Sequence, residues 1–311
     1  MSSPRTRKKW RIWLTLTLGV LVLVYGAACL YIYLKQVELT FMPLGEVDGA
    51  EQKIAQTIKS EIRFETDDFP LIVGTGEEKG KVHGYWVPAK VENAPTFLYL
   101  HGQDATIDKN LEHTQQLHEL GYNVLLIDYR GFGKTHGKTQ PSEKKIYEDA
   151  EAAWQYLVSD KGIDPKTILI FGHSLGGAVA IDLAKNHPNA AGLVTVCTFT
   201  SIYEMSKLKY GGLLKALPMD LLLTERLDSI SKIDAVKIPK LFIHGMKDEK
   251  VPYRMSEELF TKATPPKSLC LLPNSPHSEF KDPDLATMGD AIAKFVRESL
   301  EGTLNTSDVK D

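Results

Sequence analysis

Gly172-His173-Ser174-Leu175-Gly176 sets a serine between two glycines, directly after the apolar run 168–171 and ahead of the helical pattern 177–185. A strand, a turn too tight for bulky neighbours and a helix, in that order, hold the serine hydroxyl above the sheet in a strained backbone conformation. An unassisted serine hydroxyl is a weak nucleophile at neutral pH, so it needs a base to take its proton and a carboxylate to orient that base. In the chain order serine, aspartate, histidine, the acid follows a later strand, and Leu241-Phe242-Ile243-His244-Gly245 leads directly to Asp248. Asp228 and Asp234 are weaker candidates, because they fall in an inserted helical segment rather than at a strand end. Of the nine histidines, His277 alone lies beyond Asp248, between the run 269–272 and the final helix. His101 and His244 sit at strand ends, where loop packing is their expected role, and His173 is tied to its turn. The oxyanion of a tetrahedral intermediate needs preorganised donors, and the backbone N–H groups of Leu175 and Gln103 are placed to supply them.

Such a relay requires a frame that brings positions 174, 248 and 277 together. The runs 97–100, 124–127, 168–171, 193–197, 241–243 and 269–272 are short and continuously apolar, as strands buried on both faces are. Amphipathic helical stretches alternate with them, one carrying Ile146, Ala150, Ala153, Trp154 and Leu157 behind a Ser142 cap, another carrying Met288, Ile292, Phe295 and Val296. This alternation predicts an α/β fold with a mostly parallel sheet covered on both faces, its chemistry at the carboxyl ends of the strands. The segments 62–65 and 82–87 have mixed polarity and read as outer antiparallel strands. Residues 199–234 interrupt the alternation and read as a small helical cap, an extra helix pair serving only as packing being the plainer alternative.

The chain has 311 residues, 43% hydrophobic and 25% charged, a globular composition that excludes wholesale disorder and multi-span transport. Three cysteines without a Cys-x-x-Cys pair make neither a disulfide framework nor a thiol or metal motif. Arg5, Arg7, Lys8, Lys9 and Arg11 crowd the first eleven residues, and the remainder carries 32 basic against 40 acidic residues. An acidic body has no long-range attraction for nucleic acid.

Residues 12–34 are 23 consecutive uncharged residues, enough helix to cross a bilayer core of about 30 Å once. Trp10 and Trp13 flank one end, Tyr31 and Tyr33 the other, as side chains at membrane interfaces do. The basic cluster before the span predicts a cytoplasmic N-terminus and a catalytic body outside the cytoplasm. A cleaved signal peptide and a lipoprotein signal at Cys29 compete with an uncleaved anchor. The apolar run is longer than a cleavable signal needs, which favours the anchor. The resulting organisation is a basic tail (1–11), a transmembrane anchor (12–34), a juxtamembrane connector (35–60) with a short helix around 51–58, a body (61–301) with its cap at 199–234, and a polar tail (302–311).

Asp128-Tyr129-Arg130-Gly131-Phe132-Gly133, Pro141-Ser142-Glu143 and Tyr147-Glu148-Asp149-Ala150 resemble the characteristic stretch of α/β-hydrolase-domain serine hydrolases. So do His101-Gly102, the Ser174 turn, Arg226-Leu227-Asp228-Ser229, and His244-Gly245 with Asp248 and Val251-Pro252. The N-terminal span followed by Phe41-Met42-Pro43 is similar to the membrane-anchored, bud-emergence-type branch. Thr135 stands where a serine is commoner, and Ser275-Pro276 replaces the small residue usual before the histidine. The resemblance implies an α/β-hydrolase fold with one strand between those carrying Cys197 and Cys270. Strands two places apart are about 10 Å apart, so both thiols are expected free.

The resulting expectation is a membrane-anchored serine hydrolase: Ser174 attacks an ester or thioester carbonyl, His277 shuttles the proton, Asp248 stabilises the imidazolium, and no metal or organic cofactor is required. The expected partners are a small acyl substrate, an acyl-lipid among the candidates, and a membrane through the N-terminal helix, with no nucleic acid. A serine peptidase or amidase, and a catalytically silent hydrolase fold acting as a membrane-tethered binding module, are the alternatives. The oligomeric state is not legible in the sequence.

Overall fold

The structure, a computed structural model, describes residues 4–43, 49, 52–53, 56–58, 71–73, 80–103, 106–136, 138–211 and 217–304. Helix α1 runs unbroken over Pro4–Phe41 and includes one stretch long and apolar enough to cross a membrane. The side chains from Trp10 to Leu34 are mostly exposed, whereas Gln36, Thr40 and Phe41 are buried. The helix therefore extends past the end of the uncharged run, and its last turns join the body.

Eight strands among the described residues form one sheet in the order β1-β2-β4-β3-β5-β6-β7-β8. They are β1 (Leu71–Val73), β2 (Gly80–Val87), β3 (Thr96–Leu100), β4 (Asn123–Asp128), β5 (Ile168–His173), β6 (Gly192–Val196), β7 (Lys240–Gly245) and β8 (Lys267–Leu272). β1 pairs antiparallel with β2 and β2 with β4, and every other pairing is parallel. The continuous apolar runs are the central parallel strands, and 82–87 belongs to the antiparallel β2. β1 is an additional edge strand that the sequence reading did not include. The expected strand at 62–65 lies outside the described residues, whereas residues 52–53 and 56–58 of the expected connector helix are described and are helical.

Helices α2 (Leu111–Glu119), α3 (Glu143–Gln155), α4 (Leu175–Asn186), α5 (Ile202–Tyr210), α6 (Met219–Leu222), α7 (Arg254–Lys262) and α8 (Asp284–Glu301) follow in chain order. The strand pleat sends alternate residues to opposite faces. Leu98 and Leu100 of β3 join α3 and α4 in one core layer, while Phe97 and Tyr99 join α2 and α8 in the other. Ser142 caps α3 by accepting a hydrogen bond from the Lys145 N–H at 3.3 Å. Helix α5 and the single turn α6 occupy the segment read as a cap. Cys197 follows β6, Cys270 lies on β8 with β7 between them, and neither is in a disulfide.

Candidate active site

β5 ends at His173, α4 begins at Leu175, and Ser174 alone makes the turn between them, at φ 54° and ψ −117°. That conformation is strained for a residue with a Cβ and persists only where its surroundings impose it. Here the Ser174 N–H donates to Val196 O at 2.8 Å, and Ser174 O accepts from the Thr198 hydroxyl at 2.5 Å and the Gly177 N–H at 3.0 Å. A Cβ on Gly172 would strike the Gly176 carbonyl, and one on Gly176 would strike the carbonyls of Leu100 and His101. The two glycines thus let strand, helix and the end of β3 close on the serine.

The structure brings the three relay residues together from three separate loops. His277 Nε2 lies 3.0 Å from Ser174 Oγ, and His277 Nδ1 lies 2.6 Å from Asp248 Oδ2. With its proton on Nδ1 facing the carboxylate, the imidazole presents the Nε2 lone pair to the serine hydroxyl. Pro276 does not displace the ring. The Lys247 N–H and a Cβ built on Gly245 both meet Ser275, so this loop packs directly on the end of β7.

Asp248 has a fully buried side chain. Burial pushes its carboxyl up, but hydrogen bonds from His244 and His277, the His277 charge and the Val251 N–H outweigh it and hold the group well below the usual carboxylate range. The N–H groups of Lys250 and Val251 each donate to Oδ1 at 2.8 Å. His244 Nε2 reaches Oδ2 at 3.1 Å, while its Nδ1 faces the Ser256 hydroxyl at 2.7 Å. An acid held this firmly in its charged form suits the orientation of an imidazole and the stabilisation of an imidazolium.

Leu175 opens α4, where first-turn N–H groups have no intrahelical acceptor. Gly102 packs against the serine turn, since a Cβ there would lie 3.2 Å from Ser174 Cβ, and Gln103 follows it. Both residues named for the oxyanion therefore border the nucleophile. Cys197, Asp248 and His277 also form a donor set whose ligand atoms lie within 4.8 Å of one another. Asp248 and His277 direct the atoms a metal would need at each other, and burial keeps the Cys197 thiol protonated as a further donor to Asp248. The three side chains thus form a hydrogen-bonded set.

A family model described as serine aminopeptidase, S33, matches residues 92–229. Uncharacterized protein Rv2307c of Mycobacterium tuberculosis is 33% identical over 282 residues, covering 90% of this chain and 94% of Rv2307c. The α/β hydrolase domain-containing protein WAV2 of Arabidopsis thaliana is 32% identical over 214 residues, 65% of this chain and 69% of WAV2. The chain belongs to the α/β-hydrolase superfamily. Protein bem46 of Schizosaccharomyces pombe is 37% identical over 166 residues (52% of this chain, 54% of bem46), a likeness that matches the bud-emergence-type branch. The solved esterase Pf2001 of Pyrococcus furiosus has the same fold, with TM-score 0.63 at 18% identity over 83% of this chain and 98% of its own.

Two further histidines of the hydrolase support the site in a way the sequence did not disclose. His173 Nε2 donates to His277 O at 2.9 Å, and His113 Nε2, from α2, reaches Ser278 O at 3.3 Å. Successive carbonyls of the histidine loop are thus held from beneath. His173 was read as tied to its turn, and its partner became visible only once the loop at 277 was folded over it. His113 sits in the first turn of α2, with no sequence signal linking it to a loop 165 residues away. Behind these rings a cavity of about 340 Å³ opens between α2 and α8, lined by Leu117, Phe171, Phe280, Met288 and Ile292. Its walls do not include Ser174, so it backs the loop without reaching the nucleophile.

Proposed function

We propose that the protein is a membrane-anchored serine hydrolase that cleaves a carboxylic ester or thioester through an acyl-enzyme. The observation that carries this reading is the two-sided seat of His277, 3.0 Å from the Ser174 hydroxyl and 2.6 Å from the Asp248 carboxylate. His277 takes the proton as Ser174 Oγ bonds to the carbonyl carbon, and the Leu175 and Gln103 N–H groups receive the oxyanion. Collapse of the tetrahedral adduct breaks the bond to the leaving group, which departs with the proton from His277. Water then attacks the acyl-serine with the same imidazole as base, releasing the acid and restoring the hydroxyl. Helix α1 supplies the anchor, with its basic end cytoplasmic and the catalytic body on the other side.

The esterase name of the Pf2001 structure supports an ester substrate, and the serine aminopeptidase name of the matching family model supports an amide as the second reading. Acyl esters and thioesters of graded chain length, run beside aminoacyl amides on the detergent-solubilised full chain, separate them. Ester or thioester turnover that Ser174→Ala abolishes is the expected result. Amide turnover alone selects the second reading, and a folded chain inert to every substrate leaves a binding module.

A further inference from the structure

The segment between β6 and β7 does not close over the body alone; it is built onto the end of α1. Ile32 packs with Met219 and Leu223 of the cap, together with Tyr203 and Leu222. One turn further along, the Gln36 side chain fastens the same segment. Its Nε2 donates to Leu222 O at 3.2 Å, and its Oε1 accepts from the N–H groups of Thr224 at 2.8 Å and Glu225 at 3.3 Å. Gln36 is 4% exposed, so this is a built joint.

The joint fixes a level along the helix axis. Ile32 belongs to the uncharged run and stands between Tyr31 and Tyr33, whereas Lys35 and Glu38, paired at 2.8 Å, mark the first charges beyond it. Ile32 and Gln36 are four residues apart, about 6 Å of helix rise, so α6 lies in the band between the last apolar residues and the first charges. In a helix that spans a bilayer, that band is the membrane interface.

The exposed side chains of the cap are those a bilayer would take. Leu221 of α6 is 83% exposed, and Leu208 and Tyr210 at the end of α5 are 56% and 42% exposed. Among the described residues no apolar neighbour covers these two large leucines, while the helix the cap is fastened to enters lipid within a turn. We infer that α6 and the end of α5 are seated in the interfacial layer of the membrane that α1 crosses, with Leu221 and Leu208 inserted among the acyl chains. The inference rests on α1 spanning the bilayer and adds a second point of contact. The body is thereby held in one orientation, cap towards the lipid, instead of swinging on a tether.

Photocrosslinking tests it on the full chain reconstituted in phosphatidylcholine vesicles, with p-benzoylphenylalanine replacing one residue at a time. Leu21 reports the span and Leu221 the cap. Val91, apolar and 63% exposed in the turn before β3, reports the opposite end of the sheet. Lipid adducts at Leu21 and Leu221 and none at Val91 are the expected result, with Leu208 as a second cap position should the Leu221 variant fail to fold. Adducts at Leu21 with none at Leu221 or Leu208 overturn the inference and leave the anchor standing. No adduct at Leu21 removes the anchor, and the inference with it.

Discussion

The ring of His173 donates from Nε2 to the backbone carbonyl of His277 at 2.9 Å, so the residue before Ser174 holds the loop that carries His277. The two rings also lie against each other, with centroids 5.2 Å apart. Burial, followed by the neighbouring charges of His277 and His113, pushes the His173 imidazole well below its ordinary range, which keeps the ring neutral and its single N–H committed to the loop.

Removing that donor loosens the base without touching the substrate. His173→Phe keeps the ring volume and deletes the hydrogen bond. We expect kcat to fall by about ten- to a hundredfold with KM nearly unchanged, the penalty of a misplaced catalytic group. His173→Gln, which restores an N–H, should recover part of the loss. Steady-state kinetics on a soluble ester checks this, and a KM effect without a kcat effect would assign His173 to binding instead.

Acid should destabilise the fold through its buried, neutral histidines. His101 is 1% exposed, and burial pulls it down to about 4, a shift the Gly102 carbonyl only partly opposes. Asp128 Oδ1 stands 3.5 Å from His101 Nε2 but accepts the Ile107 N–H at 2.8 Å. His101 and His173 bind protons in the unfolded chain below about pH 6.5, while the folded chain resists protonation. Their contribution is therefore complete above that value and shrinks as pH falls towards about 4, by on the order of 3 kcal/mol for His101. Asp248, held down in the fold, contributes fully above 3.8 and loses that contribution below it. Thermal unfolding of the solubilised chain should show Tm dropping between about pH 7.5 and about pH 5, with a shallower slope in His101→Asn. A flat profile would contradict neutral burial of these rings.

The stretch around Arg130 is structural. Its Nε donates to Asp149 Oδ1 at 2.6 Å and its Nη2 to Glu148 Oε2 at 2.6 Å, joining the loop after β4 to α3. Arg130 is 1% exposed and Asp149 0%, so Arg130→Met leaves a buried carboxylate without its cation and should cost about 3–5 kcal/mol. The double change Arg130→Met with Asp149→Leu should recover most of that, because the uncompensated charge is gone. Chemical denaturation of the three chains measures it, and a double variant no more stable than the single would count against the charge argument.

The parallel core was legible in the sequence because strands buried on both faces must be largely apolar, as the middles of β3 through β7 are, Thr195 of β6 apart. Position 174 was legible for the same reason that it is strained: only small neighbours fit its turn. β1 was not, since three residues at a sheet edge carry too little pattern. The uncharged run bounds the expected anchor at 12–34 but does not mark where the helix itself ends. One charge does not end a helix, and here Lys35 pairs with Glu38 along its surface while Val37 and Phe41 bury against the body. The helix stops instead two residues before Pro43, whose ring disfavours helix in the residue ahead of it. Cys197 and His113 are silent in sequence because their roles exist only through tertiary contacts, with Asp248 and with the Ser278 carbonyl.

A nucleophilic Ser174 activated by His277 and Asp248 should react with a fluorophosphonate, and treating the folded full chain with one and mapping the adduct by mass spectrometry checks it. We expect a single adduct on Ser174, absent in Ser174→Ala and formed far more slowly in His277→Ala. A folded protein left unmodified at Ser174, or modified there equally fast without the imidazole, would contradict it.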